Sequence, residues 1–250
     1  MRLGQFATGL ATTLLGVSVS MGAALPSSFA ATPEHITQLL ETGACPGCDL
    51  SGADLAGQNL GEANLAGANL AGANLAGANL NQAQLRQANL ANSDLTGASL
   101  IEARLHGANL TEANLSKADL SLAGFVIANL SHADLREANL IGTNLESANL
   151  DGANLANTAQ SLAGILAANV SGPNAGLVPM DVMGVNFRDA NLSGANLTYA
   201  SLQGADFQAA ILVDADLRYA QLEGANVVGA NLQDAQLQGT VLAGTRSIAR

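Results

Sequence analysis

Cys45-Pro46-Gly47-Cys48 is the constellation in this sequence with the most chemical potential. Two thiols at C-x-x-C spacing can work as a redox dithiol, one thiolate attacking and the other resolving. They can also close a local disulfide, the ordinary state of paired cysteines outside a reducing cytosol. No strand–helix–strand pattern surrounds them, as a thioredoxin-like site requires, so the disulfide is the favoured reading. Two cysteines without a neighbouring histidine make an incomplete ligand set, and no metal is expected. Of the three histidines, His35 lies in a helical pattern, while His106 and His132 are 26 residues apart. Glu112 and His132 could pair as acid and base, although an exposed ion pair on a solvated face explains them without chemistry. No Ser-His-Asp set, phosphate loop or pair of facing carboxylates can be read. Neither an enzyme nor a cofactor is expected.

The elements around these residues begin with a short helix. Thr32-Pro33-Glu34 supplies an N-cap hydroxyl, a Pro at N1 and an acid in the first turn. Ile36, Leu39 and Leu40 form the apolar stripe, and Gly43 can end the helix. So short a helix is marginal alone and must dock its stripe onto something. Residues 31–47 are therefore read as a cap helix followed by a Pro46-Gly47 turn.

Before the cap, Arg2 is the lone charge ahead of an uncharged stretch from Leu3 to Ala31. Ser28-Phe29-Ala30 places small residues at −3 and −1, so residues 1–30 read as a signal peptide cleaved between Ala30 and Ala31. The alternative is a retained membrane anchor, but the apolar core from Phe6 to Ala24 is diluted by Gly, Thr and Ser. There is no twin-Arg pair, which favours a Sec-type route to the periplasm, a thylakoid lumen or the exterior. No stable membrane span is expected after processing.

The charge excludes a further class. Only 12% of residues are charged and the net charge is −11, becoming −12 once Arg2 leaves with the leader. A nucleic-acid binder needs a basic surface, so no nucleic acid is expected as a partner.

From Leu50 the chain acquires a period of five. Of the 22 positions taken in fives from 50 to 155, 21 are Leu and the other is Phe125. Two residues before them, 18 of the 22 are Ala; the exceptions are Cys48, Gln58, Ser93 and Thr143. The residue between is Asn 13 times and Asp 5 times, so the unit reads A-(N/D)-L-x-x. Neither an amphipathic helix nor a flat strand keeps residues five apart on one face. A chain that turns a corner every five residues does. Leu and Ala then point to a common axis, and the other three positions face water. No unit can bury its Leu without neighbours, which defines a repeat solenoid.

These units resemble the pentapeptide repeat proteins, and the resemblance covers nearly all of the chain after Cys48. It implies an all-β solenoid: a right-handed quadrilateral β-helix with four pentapeptides, 20 residues, to a coil. At that lag, Phe187 and Phe207 stack inside and Tyr199 and Tyr219 outside, Glu112 lies beside His132, and Lys117 beside Glu137. The segment ACPGCDLSGADL also resembles the start of exported members from cyanobacteria and the chloroplast lumen, which carry a disulfide bracket there.

A second set of twelve positions, from Phe187 to Leu242, is displaced by two from the first. Triplets around Ile165 and Val170 still fit the first register, and those ending at Leu177 and Val182 fit the second. The expected organisation is a first register over 48–170, a slip or bulge at 171–174 containing Pro173, a second register over 175–245 and a tail at 246–250. The alternative loops out all of 156–184. Nearly ten coils at the strand spacing make a rod of roughly 45–50 Å. Its C-terminal end has no cap of its own, which suggests pairing with a second copy.

Two outer surfaces stand out as contact candidates. AGANL occurs three times unchanged over 66–80, exposing only Ala66, Gly67, Ala71, Gly72, Ala76 and Gly77; the second is the Tyr199–Tyr219 pair. The favoured function is a non-catalytic exported scaffold or protein-interaction module whose protein partner is unknown. One alternative is an acidic DNA mimic, as in family members that bind gyrase. A duplex of this length would carry roughly 28 charges, well above the net charge here. The other alternative is a redox protein using Cys45 and Cys48.

Overall fold

The computed structural model describes residues 31–158 and 184–246. Each pentapeptide follows one backbone recipe. In Leu50-Ser51-Gly52-Ala53 the Ala53 N–H donates to the Leu50 carbonyl at 3.1 Å, and Gly52 has a φ of 65°. Positive φ at the third residue of such a turn is the type II requirement. The next residue, Asp54, is extended and forms one parallel bridge, to Asn74. A corner then follows, and the recipe repeats.

The bridges run from residue i to i+20, as in Asn64 to Gln84, Gln84 to Arg104 and Arg104 to Gly124. Twenty residues to a coil means four pentapeptides and four sides. Side 1 carries the column through Asn64 and Arg104, side 2 that through Asn69 and Asn109, side 3 that through Asn74 and Asn114, and side 4 that through Asn79 and Asp119. Among the described residues there is no multi-residue strand. A corner every five residues leaves room for one bridge residue per side, so the expected all-β character resides in ladders of single bridges.

Leu and Ala fill the axis. Leu65 to Leu120 are essentially inaccessible wherever they occupy the repeat position, as are the Ala residues before them. Burying a Leu contributes about 1.5–3 kcal/mol, so the coil is stabilised mainly by this column. Phe187 and Phe207 stack in it with centroids 4.8 Å apart and planes 9° from parallel. The polar exceptions are satisfied locally: Ser93 donates to the Leu90 carbonyl at 2.7 Å, and Thr143 to the Leu120 carbonyl at 2.9 Å.

The register change has a simple origin. Asn144 bridges Asn186, Asn149 bridges Asn191 and Asn154 bridges Asn196. This step is 42 residues where every other is 20. The excess of 22 is four pentapeptides and two residues over, and that remainder is the displacement between the two sets. The expected slip at 171–174 lies outside the described residues. The expected stretches of the first register from 159 to 170 and of the second from 175 to 183 lie outside them too. The coil ending at Thr158 stacks directly on the coil that begins at Gly184, with Asn157 donating to the Thr198 carbonyl at 3.1 Å.

Helix α1 spans Pro33–Thr42. Pro33 starts it, and Gly43, at φ 66°, ends it by donating to the Leu39 carbonyl. Two expectations fail here. Thr32 is extended but makes no side-chain cap bond. Leu40 is 38% exposed, because so short a helix touches the first coil along one line, through Leu39 and the partly buried Ile36. At the other end the inward residues Val227, Leu232, Leu237 and Leu242 surround an open apolar hollow of about 240 Å³.

Candidate functional site

Cys45 and Cys48 are joined by a disulfide, with Cα atoms 5.4 Å apart. Both are buried, and Cys48 takes the inward position of the first repeat. Gly47 has a φ of 68°, which lets the chain turn between them, and the Cys48 N–H returns to the Cys45 carbonyl at 3.3 Å. Next to the bridge, the Asp49 N–H donates to His35 Nδ1 at 3.2 Å, tying α1 to the first coil. The Asp49 carboxylate accepts the Ser51 hydroxyl at 2.6 Å, the Ser51 N–H at 3.1 Å and Asn69 Nδ2 at 3.1 Å. These bonds, those of Ser51 foremost, hold its pKa below the ordinary carboxylate value. Exchange needs a thiolate to reach a sulfur, and burial denies that approach, so the geometry suits a staple.

The histidines do not assemble into a site. His106 is on side 1 and His132 on side 2. The His132 ring lies over Gly152, where an added Cβ would come within 2.5 Å of Nδ1. It forms no ion pair with Glu112. Lys117 and Glu137 do meet, at 4.0 Å, with both side chains more than half exposed, a pair of little energetic consequence. Among the described residues, no group of three His, Cys, Asp or Glu side chains could hold a metal.

The Asn/Asp position does more than face water. Each side chain accepts the N–H two residues on, as Asn69 does from Ala71 and Asn109 from Thr111. On side 2 the amides also bond coil to coil: Asn89 to Asn69 at 3.0 Å, Asn109 to Asn89 at 3.1 Å, Asn149 to Asn129 at 3.0 Å and Asn191 to Asn149 at 3.2 Å. A lag of 20 in the pattern could have revealed this ladder. Two aspartates at this position, Asp134 and Asp216, instead bind the Arg two residues on, at 2.6 Å, and these hydrogen bonds lower both carboxyl pKa values.

The second x of A-(N/D)-L-x-x is the left-handed corner, which explains the Gly so frequent there. Leu122, Ile127, Tyr199 and Tyr219 occupy such corners with φ between 53° and 61°. Tyr199 and Tyr219 stack with centroids 5.0 Å apart and remain exposed, while Tyr219 covers Gly239. In the 66–80 repeats, Gly67, Gly72 and Gly77 are exposed corners, and Ala66, Ala71 and Ala76 are half-buried. Ala31 donates to the Ser51 carbonyl at 2.7 Å, while Ala30 and the rest of the expected signal peptide lie outside the described residues. No helix among the described residues is long and apolar enough to cross a membrane.

With a solenoid of five-residue units and, among the described residues, no group of side chains that could hold a metal, the class is defined, and comparison with known proteins agrees. The family described as pentapeptide repeats (8 copies) matches in five stretches, residues 48–87, 88–123, 128–159, 184–212 and 210–246. The chain belongs to the pentapeptide repeat family. Comparison with curated proteins finds no match. Among solved structures, the chain is similar to HetL of the cyanobacterium Nostoc sp. strain PCC 7120, a pentapeptide repeat protein involved in heterocyst differentiation regulation. Identity is 30%, over 81% of this chain and 84% of that one, with a TM-score of 0.35. QnrB1, a plasmid-mediated fluoroquinolone resistance protein, shares 17% identity over 82% of this chain and 83% of its own, with a TM-score of 0.51. A thylakoid-lumen pentapeptide repeat protein of Arabidopsis thaliana shares 30% identity over 50% of this chain and 73% of its own, with a TM-score of 0.29.

Proposed function

We propose that this chain is an exported, non-catalytic scaffold whose outer faces bind a protein partner. The observation that carries the reading is the filled axis: among the described residues, inward positions from Leu50 to Leu155 and from Val185 to Ala225 are closed by their own side chains. Chemistry has no enclosed place there, and specificity is left to the outside of the rod. The coil is four-sided and right-handed, the hand that parallel crossovers prefer. The leader ending at Ala30 and the buried Cys45–Cys48 bridge support export to a periplasm, a thylakoid lumen or the exterior. Cleavage before Ala31 leaves an ammonium that still donates to Ser51.

A second copy is the proposed cover of the C-terminal end. Helix α1 occupies the other end, so like copies can close only through two C-terminal coils facing each other. The DNA-mimic reading draws nothing from QnrB1 beyond the shared fold, and the buried sulfurs weigh against the redox reading. Crosslinking in the native compartment, followed by mass spectrometry of what is captured, tests the proposal. A processed chain in constant ratio with another protein is the expected result. A chain recovered only free, or with gyrase, contradicts it.

A further inference from the structure

One coil breaks the repeat rules at several neighbouring positions. Over residues 122–127 a Leu and an Ile occupy left-handed corners, Gly124 replaces the Asn or Asp, and Phe125 replaces the axial Leu. Leu122 and Ile127 are each 55% exposed, with half-buried Val126 between them. A β-branched residue at φ 53° is a genuine outlier, and Ile127 gains no burial from it. Strain retained at an exposed position points towards use of that surface.

The coil before it carries the matching charge. Arg104 bridges Gly124 directly, and the Gly107 N–H bonds the Val126 carbonyl at 3.0 Å, which sets His106 and Arg104 beside the apolar group. Arg86 stands one coil further along the column of His106. All three are exposed. Lys117, Arg136, Arg188 and Arg218 each have a carboxylate partner within 4.0 Å, whereas Arg86 and Arg104 have none among the described residues. Side 1 from Asn64 to Ile127 bears no acid; Glu146 follows one coil on, its carbonyl accepting the Ile127 N–H at 3.0 Å, and Glu62 and Glu102 lie round the corner in a groove of about 270 Å³ that Arg104 also lines.

We propose that Arg86, Arg104 and His106, with Leu122, Val126 and Ile127, form a docking site for an acidic protein segment carrying a large aliphatic or aromatic side chain. The site rests on the reading of this chain as a protein-interaction module and names the face and the partner's chemistry. A protein segment fits better than an anionic membrane. A net charge of −11 repels an extended anionic surface, while a short segment meets the local cations within a Debye length of about 8–10 Å.

A random dodecapeptide library on phage, panned against the full chain, tests this, with the enriched peptide resynthesised and its binding read by fluorescence anisotropy. The expected motif is acidic with an aliphatic or aromatic residue. Its affinity falls at least tenfold in Arg104→Glu and in Ile127→Gly, weakens with salt and is unchanged in Tyr219→Ala. Ile127→Gly relaxes the backbone, so its loss of binding cannot come from unfolding. Enriched peptides that ignore both substitutions overturn this site and leave the interaction module standing. No enrichment by any peptide overturns both. Binding to phosphatidylglycerol vesicles without peptide selection overturns the protein partner.

Discussion

Single residues in this solenoid are judged by the corner they occupy. Ile127 sits at a left-handed corner with no burial to compensate, and for an L side chain that conformation costs about 1–2 kcal/mol. Ile127→Gly is expected to raise stability by about 1 kcal/mol in denaturant titrations. An unchanged or lower midpoint would remove the strain argument. Asp49 makes a pH prediction. Its folded pKa is depressed, so its contribution is complete above the unfolded value of about 3.9 and is lost as pH falls through the folded one. Asp49→Asn keeps an acceptor for Ser51 but cannot titrate, so its acid unfolding limb begins at lower pH than that of the parent. Equal acid limbs would show that other carboxylates dominate. The inward Leu and Ala were legible from the period alone. The inter-coil Asn ladder was not, because it needs the 20-residue lag, which a five-residue period does not contain.

The cap and the coil are separate problems of stability at the scale of elements. The Cys45–Cys48 bridge closes so small a loop that the chain-entropy model assigns it only about 2 kcal/mol. It holds α1, which otherwise depends on Leu39, Ile36 and the His35–Asp49 bond. In Cys45→Ser/Cys48→Ser, hydrogen exchange should quicken across Pro33–Thr42 and remain slow at Leu90 to Leu120. Uniform loss of protection would make the bridge a determinant of the whole rod. Element boundaries were readable only in part. The helix start and stop follow from Pro33 and Gly43, yet the exposure of Leu40 depends on how the helix meets the coil. The break in the ladder was harder still. Residues 163–165 and 168–170 satisfy the pentapeptide pattern as well as Asn154 and its neighbours do, so the period cannot say which units share the stack. The partners of Asn144, Asn149 and Asn154 can.

Among the described residues of the molecule, the axis is filled, α1 covers one end, and inward side chains are exposed at the other. Exposed Leu237, Val241 and Leu242 at the open end predict a dimer by light scattering, and Leu237→Lys/Leu242→Lys should give a monomer. A parent that stays monomeric at high concentration would contradict pairing of the C-terminal coils. The repeat architecture was legible early, because composition and period restrict the chain to an acidic repeat solenoid. The binding face was not, since each outer position can vary without disturbing the Leu and Ala beneath it. The central claim is that the rod works outside the cytoplasm as a stapled scaffold. Cell fractionation combined with the intact mass of the native protein, with and without alkylation, tests it most directly. The account predicts a form beginning at Ala31, outside the cytoplasm, with neither cysteine alkylated. A full-length, cytosolic chain with both Cys45 and Cys48 alkylated would contradict it and make gyrase inhibition the next assay.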